Sequence, residues 1–326
     1  MLLLPLLLLL PPTSSTLLPR QSTKSRLTPP PGCLSVGPTQ AHKTLTAGLA
    51  ALPPSRQSCI FLHPGTYAGQ TNITSRTALL TIYGSTSDTS DFRANTATLT
   101  NTLSSPDAGS LIASATLHVD VPHFAMYNVN VRNGYGKGKQ AVALSATGTH
   151  VYHGVALSSY QDTLYARAGT QLYTSSHITG AVDYIFGMAS VWISHSVLTS
   201  TGSGAITASG RSTPSDPAWI VISKSKIEGK EDLKGRVLLG RPWRVHARVM
   251  FQECVLGDVV SKSGWGPMAK DAKPLFYEYA NTGPGAGGKE RKMSTAAKGL
   301  VGVEEVLGRG WREWAGDVAA GSVDGK

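Results

Sequence analysis

The sequence predicts an all-β chain wound as a right-handed parallel β-helix, a solenoid of short stacked strands. Three observations carry this. Short apolar segments of one pattern recur at long intervals. No helical period lies between them. Like polar residues recur 21 residues apart, Gln140 before Gln161 and Asp162 before Asp183.

Six octapeptides show the pattern: Phe124 to Val131, His150 to Leu157, Gln171 to Ile178, Val191 to Leu198, Ile220 to Ile227 and Val249 to Leu256. Each has apolar or aromatic residues at its second or third place and an aliphatic residue at its eighth. Their starts lie 26, 21, 20, 29 and 29 residues apart. β-Branched and aromatic residues alternating between Gly, Asn, Ser and Asp read as short strands. Strands of a β-sandwich would recur roughly every 8–12 residues, so the longer interval favours the solenoid.

Stacking has a chemical consequence, because equivalent places on adjacent coils lie one strand spacing apart, ~4.8 Å. Asp162 falls nine residues before Gln171, and Asp183 falls eight before Val191. Gln140 and Gln161 fall ten before His150 and Gln171. All four therefore occupy nearly equivalent places and should form one compact cluster. A lone Asp or Gln here would read as a turn cap or a polar ladder. Two carboxylates and two amides together could supply an acid, a nucleophile and an oxyanion site.

The strings around these residues are Gln140-Ala141-Val142-Ala143-Leu144, Gln161-Asp162-Thr163-Leu164-Tyr165, the segment from Gly180 to Gly187 (GAVDYIFG), and Leu239-Gly240-Arg241-Pro242-Trp243. Together, and in this order, they resemble the signature set of the pectin methylesterases. Gly65-Thr66-Tyr67, the run from Ile206 to Arg211, Gly264-Trp265 and the run from Glu278 to Ala286 extend the likeness, from about Cys33 to about Trp314. It is closest to the single-domain fungal-type members. Three positions depart from the family's habit: Gly69 stands where a Glu is common, Tyr184 where Phe is usual, and Ser209 where many members carry an amide.

The resemblance implies the roles; the spacing argues only for proximity. The implied substrate is the methyl ester at C6 of galacturonate in pectin, cleaved to pectate and methanol. Asp183 is the implied nucleophile, forming an acyl-enzyme. Asp162 is the implied acid toward methanol and then the base toward water. Gln140 and Gln161 offer amide N–H groups to the oxyanion. Arg241 can hold Asp183 in a bidentate fork, ionised and aimed, although a purely structural salt bridge would look the same. Trp243 and Tyr165 offer flat faces to sugar rings; the plain alternative, core packing, suits Tyr165 better than Trp243.

Composition agrees with a secreted β protein. The chain has 326 residues, 41% hydrophobic and only 15% charged, with a formal net charge of +10. A basic chain suits an anionic partner. There is no Lys/Arg run and no nucleic-acid module, so nucleic acid is not expected, and an acidic polysaccharide is the better match. Basicity could also act on solubility alone. The solenoid domain is placed at 32–316, working as a monomer. Residues 1–18 read as a signal peptide, because the leucine-rich stretch is too short to span a bilayer; no membrane association is expected once it is processed. Residues 19–31 read as a disordered Pro/Ser/Thr-rich leader and 317–326 as a flexible tail. The expected location is extracellular.

No cofactor and no metal is expected. Cys33, Cys59 and Cys254 form neither a disulfide framework nor a zinc spacing. Cys254 lies within a repeat and reads as a buried apolar residue, while Cys33 and Cys59 could pair. Asn72-Ile73-Thr74 is a glycosylation sequon. His153, His177 and His195 follow the repeat and read as stacking residues. Two other readings compete with the esterase. A pectate lyase or polygalacturonase would need calcium-binding carboxylates or an Asp triad with a Gly-His-Gly string, neither of which is found. A non-catalytic polysaccharide-binding β-helix would lack Asp162, Asp183 or Arg241, and all three are present.

Overall fold

The computed structural model describes residues 24–316 and Val318, so the expected signal peptide lies outside the described residues. The chain is a parallel β-helix. The first residues of the six octapeptides, Phe124, His150, Gln171, Val191, Ile220 and Val249, are register partners from coil to coil. So are the last, Val131, Leu157, Ile178, Leu198, Ile227 and Leu256.

These two ladders belong to different sheets. The octapeptide is therefore not one strand, as its alternation suggested, but two strands joined at a corner. Ser190–Ser194 and Val197–Ser200 show this in one coil, Ile220–Ser223 and Lys226–Gly229 in the next. The corner is the fifth place. Asn128, Gly154, Ser175, His195, Lys224 and Glu253 all stand there with φ between 46° and 62°. That left-handed conformation is uncommon outside glycine.

Serines at the sixth place help hold it. Ser196 Oγ donates to Ser194 O at 2.8 Å and accepts from Ser176 N at 3.0 Å. Ser176 and Ser225 repeat the pattern on neighbouring coils. Cys254 takes the same place, fully buried, with Sγ 3.3 Å from Gln252 O, and burial pushes its thiol up to about 12.

The second and third places are both apolar because both faces of the first sheet are covered. Tyr152 and Tyr173, at the third place, stack inside the coil with centroids 4.6 Å apart. Val151, Leu172, Trp192, Val221 and Met250, at the second, face an outer layer closed by two short helices, Val303–Leu307 and Trp311–Ala315.

Further coils lie beyond the six. Leu34–Val36, Ser58–Leu62 and Leu80–Gly84 extend the first sheet before the repeat, and Leu275–Tyr279 extends it after. The segment between Leu80–Gly84 and Leu117–Tyr127 holds the short helix Ser105–Ala108 and hides the period.

Two boundaries shift. The leader was expected to be disordered to Pro31. Instead Arg26 pairs with Thr86 through both main-chain groups, donates to Asn128 Oδ1 at 3.1 Å and lies over the Tyr83 ring. Val318, placed in a loose tail, is buried in the outer layer. Cys33 and Cys59 form a disulfide, which settles a question left open by the sequence.

A third face carries the site. It runs from Thr71–Ile73 through the first halves of Leu117–Tyr127, Leu144–His153 and Leu164–Thr174 to Ile185–Gly187, Ala205–Ser209 and Leu238–Gly240. The chain turns from this face into the first sheet at glycines. At Gly187, φ is 133° and an added Cβ would lie 1.8 Å from Ala166 O, so no other residue fits without a shift of main chain.

Candidate active site

Asp162 and Asp183 sit just before the strands of this third face, and Arg241 just after one. Backbone ladders fix all three: Asp162 N donates to Val182 O at 3.1 Å, Asp183 N to Ala205 O at 2.7 Å, and Arg241 N to Thr207 O at 3.0 Å. Gln161 pairs with Val182 on the next coil, and its carbonyl accepts from Ala141 N, beside Gln140. The cluster expected from equal spacing is thus built by main-chain pairing. Both aspartates adopt left-handed φ, 66° and 48°. Aspartate tolerates this better than most residues, and non-glycine residues held there often mark functional sites.

The two carboxylates are buried, Asp162 at 4% and Asp183 at 5% exposure. Arg241 grips Asp183 with two parallel bonds, Nε to Oδ1 at 2.8 Å and Nη2 to Oδ2 at 2.6 Å. Ile185–Gly187 pairs with Ala205–Ser209, which pairs with Leu238–Gly240, so Arg241 reaches back across a whole coil. Asp162 has no such partner. Burial, and then the nearby Asp183 charge, push its carboxyl up to about 8, against the opposing hydrogen bond from Gln140 and the charge of Arg241. One carboxylate is held by a cation, while burial and that neighbouring charge favour the neutral acid in the other. This division suits a nucleophile beside an acid.

An aromatic group lines the same face. Tyr165 and Phe186 are register partners on adjacent coils and stack at 4.4 Å. Trp243 meets both edge-on, at 6.2 and 5.7 Å. Tyr165 is only 8% exposed, so its ring is mostly covered, while Trp243 is half-buried. Gly210 leaves room for Trp243: a Cβ there would come within 2.7 Å of the indole.

The likeness to known proteins spans nearly the whole described chain. A family model described as Pectinesterase matches residues 35–306. The chain belongs to the pectinesterase family. Pectinesterase A of Emericella nidulans is 48% identical over 302 residues, 91% of this chain and 93% of that protein. The solved pectin methylesterase from Aspergillus niger is 46% identical, with a TM-score of 0.87 over 90% of this chain and 99% of that one. The carrot pectin methylesterase is 25% identical, with a TM-score of 0.74 over 83% of this chain and 90% of that one. As a pectinesterase the protein is a carboxylic ester hydrolase.

The sequence-named residues fall into two groups. Gln140, Asp162, Asp183 and Arg241 interact through their side chains and form the polar cluster, with Gln161 placed beside it by main-chain pairing; Tyr165 and Trp243 lie in the aromatic group. Phe186 and Met188 were missed. Phe186 completes the aromatic stack, and Met188, 38% exposed, lies with Trp243 against Gly210. The signal was available, since Phe186 stands one 21-residue period after Tyr165. Of the departures from family habit, two are accounted for inside the coil. Tyr184 is buried with its hydroxyl 3.1 Å from Ser200 Oγ, and Ser209 Oγ accepts from Arg248 N. Gly69 has φ of 105°, which disfavours a larger residue.

Two of the three histidines singled out by the repeat, His153 and His177, bond within it. His153 meets Thr174 at 2.8 Å, and His177 meets Thr199 at 2.8 Å and stacks on Phe92. Among the described residues, no group of three or more His, Cys, Asp or Glu is placed to hold a metal ion.

Proposed function

We propose that this pectinesterase hydrolyses the C6 methyl esters of pectin to pectate and methanol through an acyl-enzyme on Asp183. The observation that carries the reading is the pairing of a guanidinium-held carboxylate, Asp183, with a buried one, Asp162, that no guanidinium grips and that burial pushes toward its neutral form. Asp183 attacks the ester carbonyl, and the developing oxyanion takes hydrogen bonds from the amides of Gln140 and Gln161. An amide nitrogen has two N–H donors, so the bond from Gln140 to Asp162 leaves one for the oxyanion. Asp162 gives its proton to the departing methoxide, which leaves as methanol, and Asp183 is left in a mixed anhydride. Asp162, now a carboxylate, takes a proton from water. The resulting hydroxide attacks the galacturonyl carbonyl and releases Asp183. Ester and water have become acid and methanol, and the enzyme is restored.

These side chains carry every step, so no cofactor is invoked. The test is methanol release from highly methylated pectin with a chelator present, beside a boiled control. Complete loss of activity with the chelator would contradict the metal-free route. Ultraviolet-absorbing unsaturated products would identify a lyase instead.

The place of action proposed is outside the cell, on plant cell wall pectin, as a monomer. The leucine-rich start of the chain, the Cys33–Cys59 bridge and the exposed Asn72 of the sequon support this. Culture supernatant and cell lysate, assayed for the protein and for its attached sugar, test it.

A further inference from the structure

Resting on the proposed esterase reading, we propose that Arg244 is a specificity residue that binds the free carboxylate of a galacturonate unit next to the one being de-esterified. Three observations lead there. First, Arg244 is exposed, with its guanidinium 5.3 Å from the centre of the Trp243 ring. Second, its main chain is anchored. Arg244 N donates to Ser209 O at 3.3 Å, and its carbonyl accepts from Ala247 N at 3.1 Å. The side chain therefore stands at a set place, three residues beyond the arginine that holds Asp183. Third, among the described residues it forms no ion pair, unlike Arg241 three residues before it, so its guanidinium is not already taken by a carboxylate of the protein.

An unpaired arginine laid on an aromatic face beside an active site is a ready carboxylate receptor, since stacking presents the fork while leaving its outer N–H groups to a ligand. Each turnover makes a carboxylate on the same polymer that carries the next ester. The chain's net charge of +10 favours such a polyanion overall, and Arg244 places one positive charge on the Trp243 ring, at the edge of the aromatic group. De-esterified units then favour attack on the ester beside them, and de-esterification spreads in blocks.

The test compares kcat/KM for methanol release from fully methylated pectin and from the same pectin randomly de-esterified by alkali, at low and high salt. The wild type should favour the de-esterified polymer per remaining ester. Arg244→Gln should reduce that ratio by about two- to five-fold, the scale of one solvent-exposed charge pair. Arg244→Lys, which keeps the charge, should recover part of it. Salt at about 0.5 M should erase the wild-type advantage, because it screens exposed charges within a few ångströms. An unchanged ratio in Arg244→Gln overturns the proposal. Equal losses on both polymers also overturn it, because Arg244 would then only brace Trp243. A wild type that releases no methanol from either polymer removes the esterase reading itself, a distinguishable failure.

Discussion

At the scale of single residues, the chemistry rests on an asymmetry between two aspartates. Arg241 reaches Asp183 from two coils away, with its Nε and Nη2 spanning both oxygens. Arg241→Lys keeps the charge but loses the fork and is shorter, so kcat should fall at least ten-fold with circular dichroism unchanged; a variant of wild-type kcat would show that the fork is only structural. Asp162 supplies a pH signature. Its proton is lost as pH rises through about 8, so kcat/KM should fall on the alkaline side near that pH. The sign for stability follows the same group. The folded state binds this proton more tightly than the unfolded state does, so the contribution of Asp162 to stability declines between about pH 4 and pH 8. Asp162→Asn should flatten both trends and keep a residual activity about 10²–10⁴-fold below wild type. An alkaline limb that persists unchanged in Asp162→Asn would assign it to another group.

At the scale of elements, the repeating unit is the corner. A left-handed residue is followed by a serine whose hydroxyl ties two coils together. Ser196→Ala removes one donated and one accepted bond from a buried site, at a cost of about 1–3 kcal/mol. Thermal unfolding of Ser196→Ala against wild type measures it, and an unchanged midpoint would contradict the role given to the ladder. This corner also marks where the sequence stopped being readable. The octapeptide registers were legible because stacked coils need an apolar residue at the same place in every turn. The bend within each octapeptide was not, because Asn, Gly, Ser, His, Lys and Glu all occupy the fifth place. Only backbone conformation unites them. Coils before Phe124 escaped notice because the helix Ser105–Ala108 and its flanking turns lengthen one interval.

At the scale of the molecule, the site was legible because equal spacing in a solenoid becomes adjacency in space. Main-chain pairing places Gln161 beside Val182 and Asp162 beside the Asp183 coil, as the period required. Arg241 could be named only through the likeness of its string, since it lies 58 residues from Asp183 and keeps no common period with it. The ends were read less well. Arg26 docks on a tyrosine pair, and two helices cover the first sheet; both depend on partners far along the chain. The Cys33–Cys59 bridge closes a separation of 26 residues at the first coils, so reduction should lower the unfolding midpoint, by up to about 3 kcal/mol in stability. A melt unaffected by reductant would show that those coils hold without it. The most direct test of the whole account is single-turnover methanol release from highly methylated pectin by the intact protein and by Asp183→Asn, both shown folded by circular dichroism. The account predicts one methanol per wild-type active site and none from Asp183→Asn, with Asp162→Asn lying between them. An Asp183→Asn protein that releases methanol faster than Asp162→Asn would contradict it.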